Sequence, residues 1–197
     1  IYYRKFRFVY VLTFLALVVS VVGVGSLLKQ SKASQLTFYE IGGESVLDRI
    51  EGLNSELIDI KGISNLELVR YQVEPNRLNS HLRKITLDSL SQSLKPSKFD
   101  GLSYYFWKGK KFVFLQNSID HIDFNRKIET DYLVISNDAM VDAAFLMSNF
   151  QFDEIIVDSS NGYRTCRFFE RLADEFNLKC RILRNEGALT IALTSLN

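Results

Sequence analysis

Asp158-Ser159-Ser160-Asn161-Gly162 gathers a carboxylate, two hydroxyls and an amide into one short stretch of this 197-residue chain. The stretch follows an apolar run and precedes a helical pattern. Open α/β sheets collect ligands at the carboxyl ends of their strands, and helix N-termini attract anions. The same residues also suit plain capping, with Ser or Asn accepting the first helical N–H groups and Gly162 permitting the turn. Ser136-Asn137-Asp138 repeats the arrangement after the preceding apolar run, and two such turns side by side would form one polar ledge. Arg164, Arg167 and Arg171 fall at i, i+3 and i+7, hence on one helix face beside that turn. Asp158, Ser159, Ser160, Asn161, Arg164 and Arg167 therefore make the candidate anion-binding ledge. Glu170, Asp174 and Glu175 on the same helix leave open the reading of a balanced, solvated face.

Other chemistries find less. The two histidines are His81 and His121. His121 lies between Asp120 and Asp123, but a metal site needs several converging ligands and a catalytic zinc usually takes three from the protein. No HxH, HxxEH or HExxH spacing accompanies it, and a solvated loop is the alternative. No GxSxG, Walker or GxGxxG motif occurs. Cys166, near a helix start, could be an activated thiol or a core residue. Cys166 and Cys180 are expected to remain free. About ten helical residues after Cys166 climb about 15 Å, and a disulfide needs Cα atoms within about 7 Å. The expectation is of no catalytic residue, no cofactor and no bound metal.

The elements that would position these groups begin with Phe8–Leu28, 21 residues without charge or proline. A helix needs about 20 apolar residues to cross a bilayer, and within lipid the backbone must satisfy its own hydrogen bonds. A signal peptide has a shorter apolar core, of about 7–15 residues. The span is flanked by Arg4, Lys5 and Arg7 before it and Lys29 and Lys32 after it, and no acid precedes Glu40. This bias places the N-terminal flank in the cytoplasm and the following domain outside. The chain opens on Ile1 rather than Met, which fits a piece of a longer protein whose last span this is. Residues 1–34 are thus read as a membrane helix with basic flanks, and 35–197 as one soluble domain. That domain holds 19 basic and 23 acidic residues, a net charge of −4. Nucleic-acid affinity comes mainly from clustered Lys and Arg, so any such contact would need a local patch.

Within the domain, Gln35–Ile41, Ser45–Ile50 and Ser55–Ile60 read as three strands of an antiparallel meander, with a turn at Gly52-Leu53-Asn54. Asn65–Leu94 carries helix-like apolar spacing, read as one or two helices broken at Pro75. Leu102–Trp107 and Lys111–Gln116 form a hairpin around Lys108-Gly109-Lys110. Then Asp131–Ser136, a helix from about Asp138 to Phe150, Glu154–Asp158 and a helix from about Tyr163 to Phe176 alternate, before strands at Lys179–Arg184 and Ala188–Leu193. This is the pattern of an α/β sheet with covered faces.

The second half resembles a known family. Asp131-Tyr132-Leu133-Val134-Ile135-Ser136-Asn137, Ile155-Ile156-Val157-Asp158-Ser159-Ser160-Asn161 and Glu186-Gly187-Ala188 are similar to the C-terminal region of ComEC-family competence proteins. The likeness spans nearly the whole chain. It is specific in Asp131–Asn161 and at Gly187-Ala188, and vague between Asn65 and Lys98. It is to a branch whose terminal domain lacks a metal motif, and there too a last membrane helix runs directly into a strand like Gln35–Ile41.

The resemblance implies a polytopic DNA-uptake channel of the bacterial inner membrane that passes single-stranded DNA during transformation. It implies a metallo-β-lactamase-like αββα domain on the outer side. Metal-bearing relatives carry an HxHxDH-type motif and are suspected of nuclease work; here no residue matches it. The expectation is a closing transmembrane helix followed by a degenerate metallo-β-lactamase-like domain, non-catalytic and accessory to DNA translocation. Its implied partners are the lipid bilayer, upstream transmembrane segments of the same protein, single-stranded DNA and other competence proteins. The alternatives are a metal-dependent phosphodiesterase using Asp120, His121 and Asp123, and a membrane-anchored docking domain with no nucleic-acid role.

Overall fold

Apolar runs and alternating runs build different layers of the domain. The computed structural model describes residues 2–31, 34–59, 66–79, 84–89, 95–96, 101–119, 124 and 126–192. Helix α1 (Tyr2–Ser31) contains Phe8–Gly25, which is long and apolar enough to cross a membrane and is not buried by any of the described residues. Residues 32 and 33 alone separate it from strand β1 (Ser34–Ile41).

Strands β1, β2 (Glu44–Glu51) and β3 (Asn54–Asp59) form the expected meander, with turns at Gly42-Gly43 and Gly52-Leu53. Helix α2 (Leu66–Asn79) follows, then β4 (Lys84–Ser89), which pairs parallel with β3. The segment expected as helices broken at Pro75 is therefore one helix and one strand, and Pro75 lies inside the helix. Pro75 is exposed, so the carbonyl that loses its N–H partner is on the solvent side, where water can serve it. The sequence of β4 alternates Ile85 and Leu87 with polar residues, a period of two that the wider helical spacing masks.

Strand β5 (Lys95–Pro96) and the hairpin of β6 (Leu102–Trp107) and β7 (Lys110–Leu115) open the second sheet. The hairpin turn has positive φ at both Lys108 (48°) and Gly109 (78°), the mirror-image geometry that matches strand twist. Then come β8 (Ile128–Glu129), β9 (Tyr132–Ile135), α3 (Ala143–Asn149), β10 (Phe150–Gln151), β11 (Glu154–Val157), α4 (Tyr163–Phe176), β12 (Cys180–Ile182), α5 (Leu183–Glu186) and β13 (Leu189–Ala192). Helix α3 starts five residues later than the expected Asp138. Asn137 and Asp138 adopt positive φ (58° and 57°), and it is Asp142 whose carboxylate caps the helix, accepting from the N–H groups of Ala144 and Phe145. The expected strand over 179–184 ends at Ile182, where a single helical turn takes over.

Among the described residues a first sheet has the order β13-β1-β2-β3-β4, a second, β12-β11-β9-β7-β6-β5, is parallel across its first four strands, and β8 and β10 pair apart from both. The period of two along each strand assigns the faces. Leu36, Phe38, Leu47 and Ile58 meet Phe112, Phe114, Val134 and Ile156 between the sheets. Tyr39, Ile41, Val46 and Leu57 turn outward to Val69 and Val73 of α2. Val113, Leu133, Ile135, Ile155 and Val157 turn to Leu146 of α3 and Cys166, Phe169 and Leu172 of α4. The layers run α2, first sheet, second sheet, α3 with α4. Strands β7, β9 and β11 are buried on both faces, which is why they read as continuous apolar runs.

Two latches fix the sheets end to end. Near the start of β1, Glu51 pairs with Lys108 of the β6–β7 turn, and Arg49 donates to the Tyr105 hydroxyl at 3.1 Å. The other latch lies at the far end of β1 and β2. On the outer face of the first sheet, Arg77 of α2 makes a two-toothed ion pair with buried Asp48, both contacts at 3.1 Å, and Ser55 donates to the same carboxylate at 2.6 Å.

Candidate functional site

Alternation decides where the polar turns point. Val134 and Ile156 face the first sheet, so Ser136 and Asp158, two residues on in each strand, face it as well. On the opposing strand, Ser45 shares the inward face of Leu47. The three side chains converge at the far rim of the space between the sheets. Asp158 is 1% exposed. Its Oδ1 accepts from the Ser160 amide (3.0 Å), the Ser160 hydroxyl (2.5 Å) and Asn161 Nδ2 (3.0 Å). Its Oδ2 accepts from Ser45 Oγ (2.5 Å) and from Ser136 Oγ. An ionised carboxyl offers about four lone-pair positions, so these five donors fill it. Burial nevertheless dominates, and it raises the Asp158 carboxyl above the usual carboxylate range against the pull of the hydroxyl and amide donors.

The neighbouring residues extend this latch. Ser159 Oγ donates to the carbonyl of Glu44 and lies 3.2 Å from that of Tyr39, tying the turn to both strands of the first hairpin. Asn161 Nδ2 donates to the carbonyls of Ile135 (2.7 Å) and Asp158 (2.9 Å), and its Oδ1 accepts from the Asp138 amide (3.1 Å). Ser160 Oγ accepts from the Asn137 amide (2.8 Å). The two polar turns do lie side by side, but they are zipped to each other and turned inward. Asp158, Ser159 and Asn161 are buried and Ser160 is half-buried.

The start of α4 is occupied too. Gly162, at the N-cap, has no side chain to offer, and Asp138 supplies the missing acceptor from the neighbouring turn. Its Oδ1 accepts from the Gly162 amide (2.5 Å) and the Thr165 hydroxyl (2.7 Å). A Cβ on residue 162 would sit 3.3 Å from that oxygen. The position where a bound anion would sit at this helix end is filled by the protein's own carboxylate.

Arg164 and Arg167 belong to a different surface. With Arg171 they line the solvent face of α4, opposite Cys166, Phe169 and Leu172. Tyr163, 65% exposed, begins the same face, and the Arg167 guanidinium stands 5.6 Å from its ring centre. Arg167 also pairs with Glu170 at 3.5 Å; Arg164 and Arg171 have no ion pair among the described residues. A shallow groove along this face is lined by Tyr163, Arg164, Arg167, Phe168 and Arg171. A second groove shares Tyr163 and Arg164 and continues toward Met140. The six residues grouped by sequence thus divide into an interior latch and an exterior cationic face. Sequence reasoning missed Ser45 and the trans-capping role of Asp138. The spacing of Ser45 and Leu47 along a strand could have pointed to Ser45.

Among the described residues, no group of three or more His, Cys, Asp or Glu is placed to hold a metal ion. Asp120, His121, Asp123 and His81 lie outside the described residues. Cys166 and Cys180 are free. The latch can hold two sheets in register; the outer face of α4 presents three arginines to solvent. Compared with known sequences, residues 36–193 match the family described as the ComEC C-terminal domain. No curated protein matches the chain, and no solved structure does.

Proposed function

Because the chain belongs to the ComEC C-terminal domain family, we propose that it forms the closing membrane span and terminal domain of a competence protein that moves DNA across the bacterial plasma membrane. ComEC proteins are membrane proteins, and the observation that carries the reading is the junction. The matched region starts at residue 36, just after a helix of membrane-crossing length. In this reading α1 packs in the bilayer beside upstream spans of the same protein. The domain stands on the non-cytoplasmic side, consistent with three basic residues before the apolar segment and two after it. Single-stranded DNA and other competence proteins are its partners.

The proposed role is accessory: to gate, position or receive DNA without cutting it. The layer order of two sheets between helices supports kinship with metallo-β-lactamase-like domains, in a degenerate form. The carboxylate at the end of β11 is filled by protein donors and has no position left for a metal or a reacting water. Arg164 and Arg167 are the residues proposed to meet DNA. Transformation frequency and DNA retention in cells carrying Arg164→Ala with Arg167→Ala test the reading, with both expected to fall. Unchanged values would remove the arginines from the proposal. DNA cleavage that depends on zinc or manganese and disappears in His121→Ala would replace the accessory role with a phosphodiesterase. A docking domain without nucleic-acid contact draws support from the net charge of −4 over residues 35–197. It predicts no salt-dependent affinity for single strands.

A further inference from the structure

We infer that the outer face of α4 is a track for one single strand of nucleic acid, leading along the flank of the domain toward the membrane end. This deepens, and rests on, the DNA-handling reading above. The face combines the two features that sequence-independent single-strand binding needs: cations for phosphates and an exposed aromatic ring on which a base can stack. Arg164, Arg167 and Arg171 span seven residues, about 10 Å along the helix axis, and Tyr163 stands at the head of the row with two-thirds of its surface open. The stripe is one helix face wide, which fits one backbone. Tyr163, Arg164, Arg167, Phe168 and Arg171 line one open groove on this face.

Its direction follows from the topology. Strands β11 and β12 are parallel, so α4 must return against them, from the Asp158 rim to the opposite end. That opposite end is fixed by the latch between Lys108 and Glu51, and Glu51 pairs in register with Ser34, the first residue of β1. Ser34 is three residues from the end of α1. The row therefore starts far from the point where the chain leaves α1 and descends toward it. The cationic part of the face ends at Arg171; exposed Asp174 and Glu175 follow on the last turn, so a strand held by the arginines is led toward the base and leaves the row there. A lipid surface would instead touch the row at one end only.

The test uses the full chain in nanodiscs and the anisotropy of a fluorescent 20-nucleotide oligothymidylate, with a duplex of equal length as competitor. The expected result is binding whose logarithm falls linearly with that of salt. Each of Arg164→Ala, Arg167→Ala and Arg171→Ala is expected to lower that slope by about one. Tyr163→Ala is expected to lose about five-fold or more in affinity and its preference over duplex, and Tyr163→Phe to keep both. All four side chains are solvent-exposed, so unchanged unfolding midpoints confirm intact folds. If the triple arginine variant binds the oligonucleotide as the wild type does, the track is wrong while a DNA-handling role survives. If the wild type fails to bind at low salt, both fall. If duplex binds as well as the single strand in every variant, the face is a generic polyanion surface and the single-strand assignment is overturned.

Discussion

Ser45 and Asp158 stand 113 residues apart in the chain, on opposite sheets, and share a hydrogen bond of 2.5 Å in a buried setting. That contact closes the far rim of the sandwich. Ser136 from the neighbouring turn, and Ser160 and Asn161 from the turn of Asp158 itself, complete the same carboxylate cage.

Asp158→Ala is expected to destabilise the domain by about 3–5 kcal/mol, because several buried donors lose their acceptor at once. Urea unfolding followed by the emission of Trp107, the chain's single tryptophan, reads this directly; Trp107 lies in the core between the sheets.

The same carboxyl sets a pH dependence. Its pKa is raised in the folded state, chiefly by burial. Above the unfolded value of 3.8, the unfolded chain gives up a proton that the native state keeps. Stability therefore falls as pH rises from there through the higher folded value. Asp158→Asn, lower in stability at acid pH, should lose this part of the slope in unfolding midpoints taken from pH 4 upward.

Arg77→Met is expected to cost about 3–5 kcal/mol, since it strands Asp48, whose side chain is fully buried. Adding Asp48→Asn should recover part of the loss, and the double-mutant cycle measures the coupling. The solvent-exposed pair of Arg70 and Glu74, also on α2, should contribute less than about 1 kcal/mol by the same measurement.

Both thiols should resist alkylation in the native protein. Burial raises the Cys166 thiol, and burial first, then Glu186 and Glu154, pushes that of Cys180 up to about 12. Iodoacetamide labelling at pH 8, quantified by mass spectrometry, should be slow for both and become fast in urea. Rapid native labelling of Cys166 would show that α4 opens from the sheet.

Asp142→Ala should cost about 1 kcal/mol, because it removes the acceptor from the first N–H groups of α3. Asp142→Ser, which can still cap, should recover most of it in the same unfolding assay.

The elements legible in the sequence are those whose pattern is local. The meander, the Lys108-Gly109 hairpin, β9, β11 and α4 all follow from alternation, continuous apolar runs or a 3.6-residue period. Helix α2 did not stop at Pro75, because a proline on the wet side of a helix loses one hydrogen bond to water rather than to nothing. Strand β4 was hidden because its partner, β3, lies across an intervening helix and parallel pairing leaves no turn signal. For the candidate ledge, the sequence pattern brought the two turns together correctly. It could not tell an inward carboxylate from an outward one, since that depends on Ser45 of a strand over a hundred residues earlier. The arginine row was legible because helical geometry alone places it.

The two-residue step from α1 to β1 has a mechanical meaning. β1 is not an edge: it lies between β13 and β2, paired with β2 over Ser34–Ile41 and with β13 over Gln35–Phe38. Tension applied through α1 along that strand would load both ladders in shear, with many bonds sharing the force, instead of peeling them one at a time. Tilting or rotation of α1 would then move the sandwich as a lever rather than unravel it, and the row on α4 would swing with it.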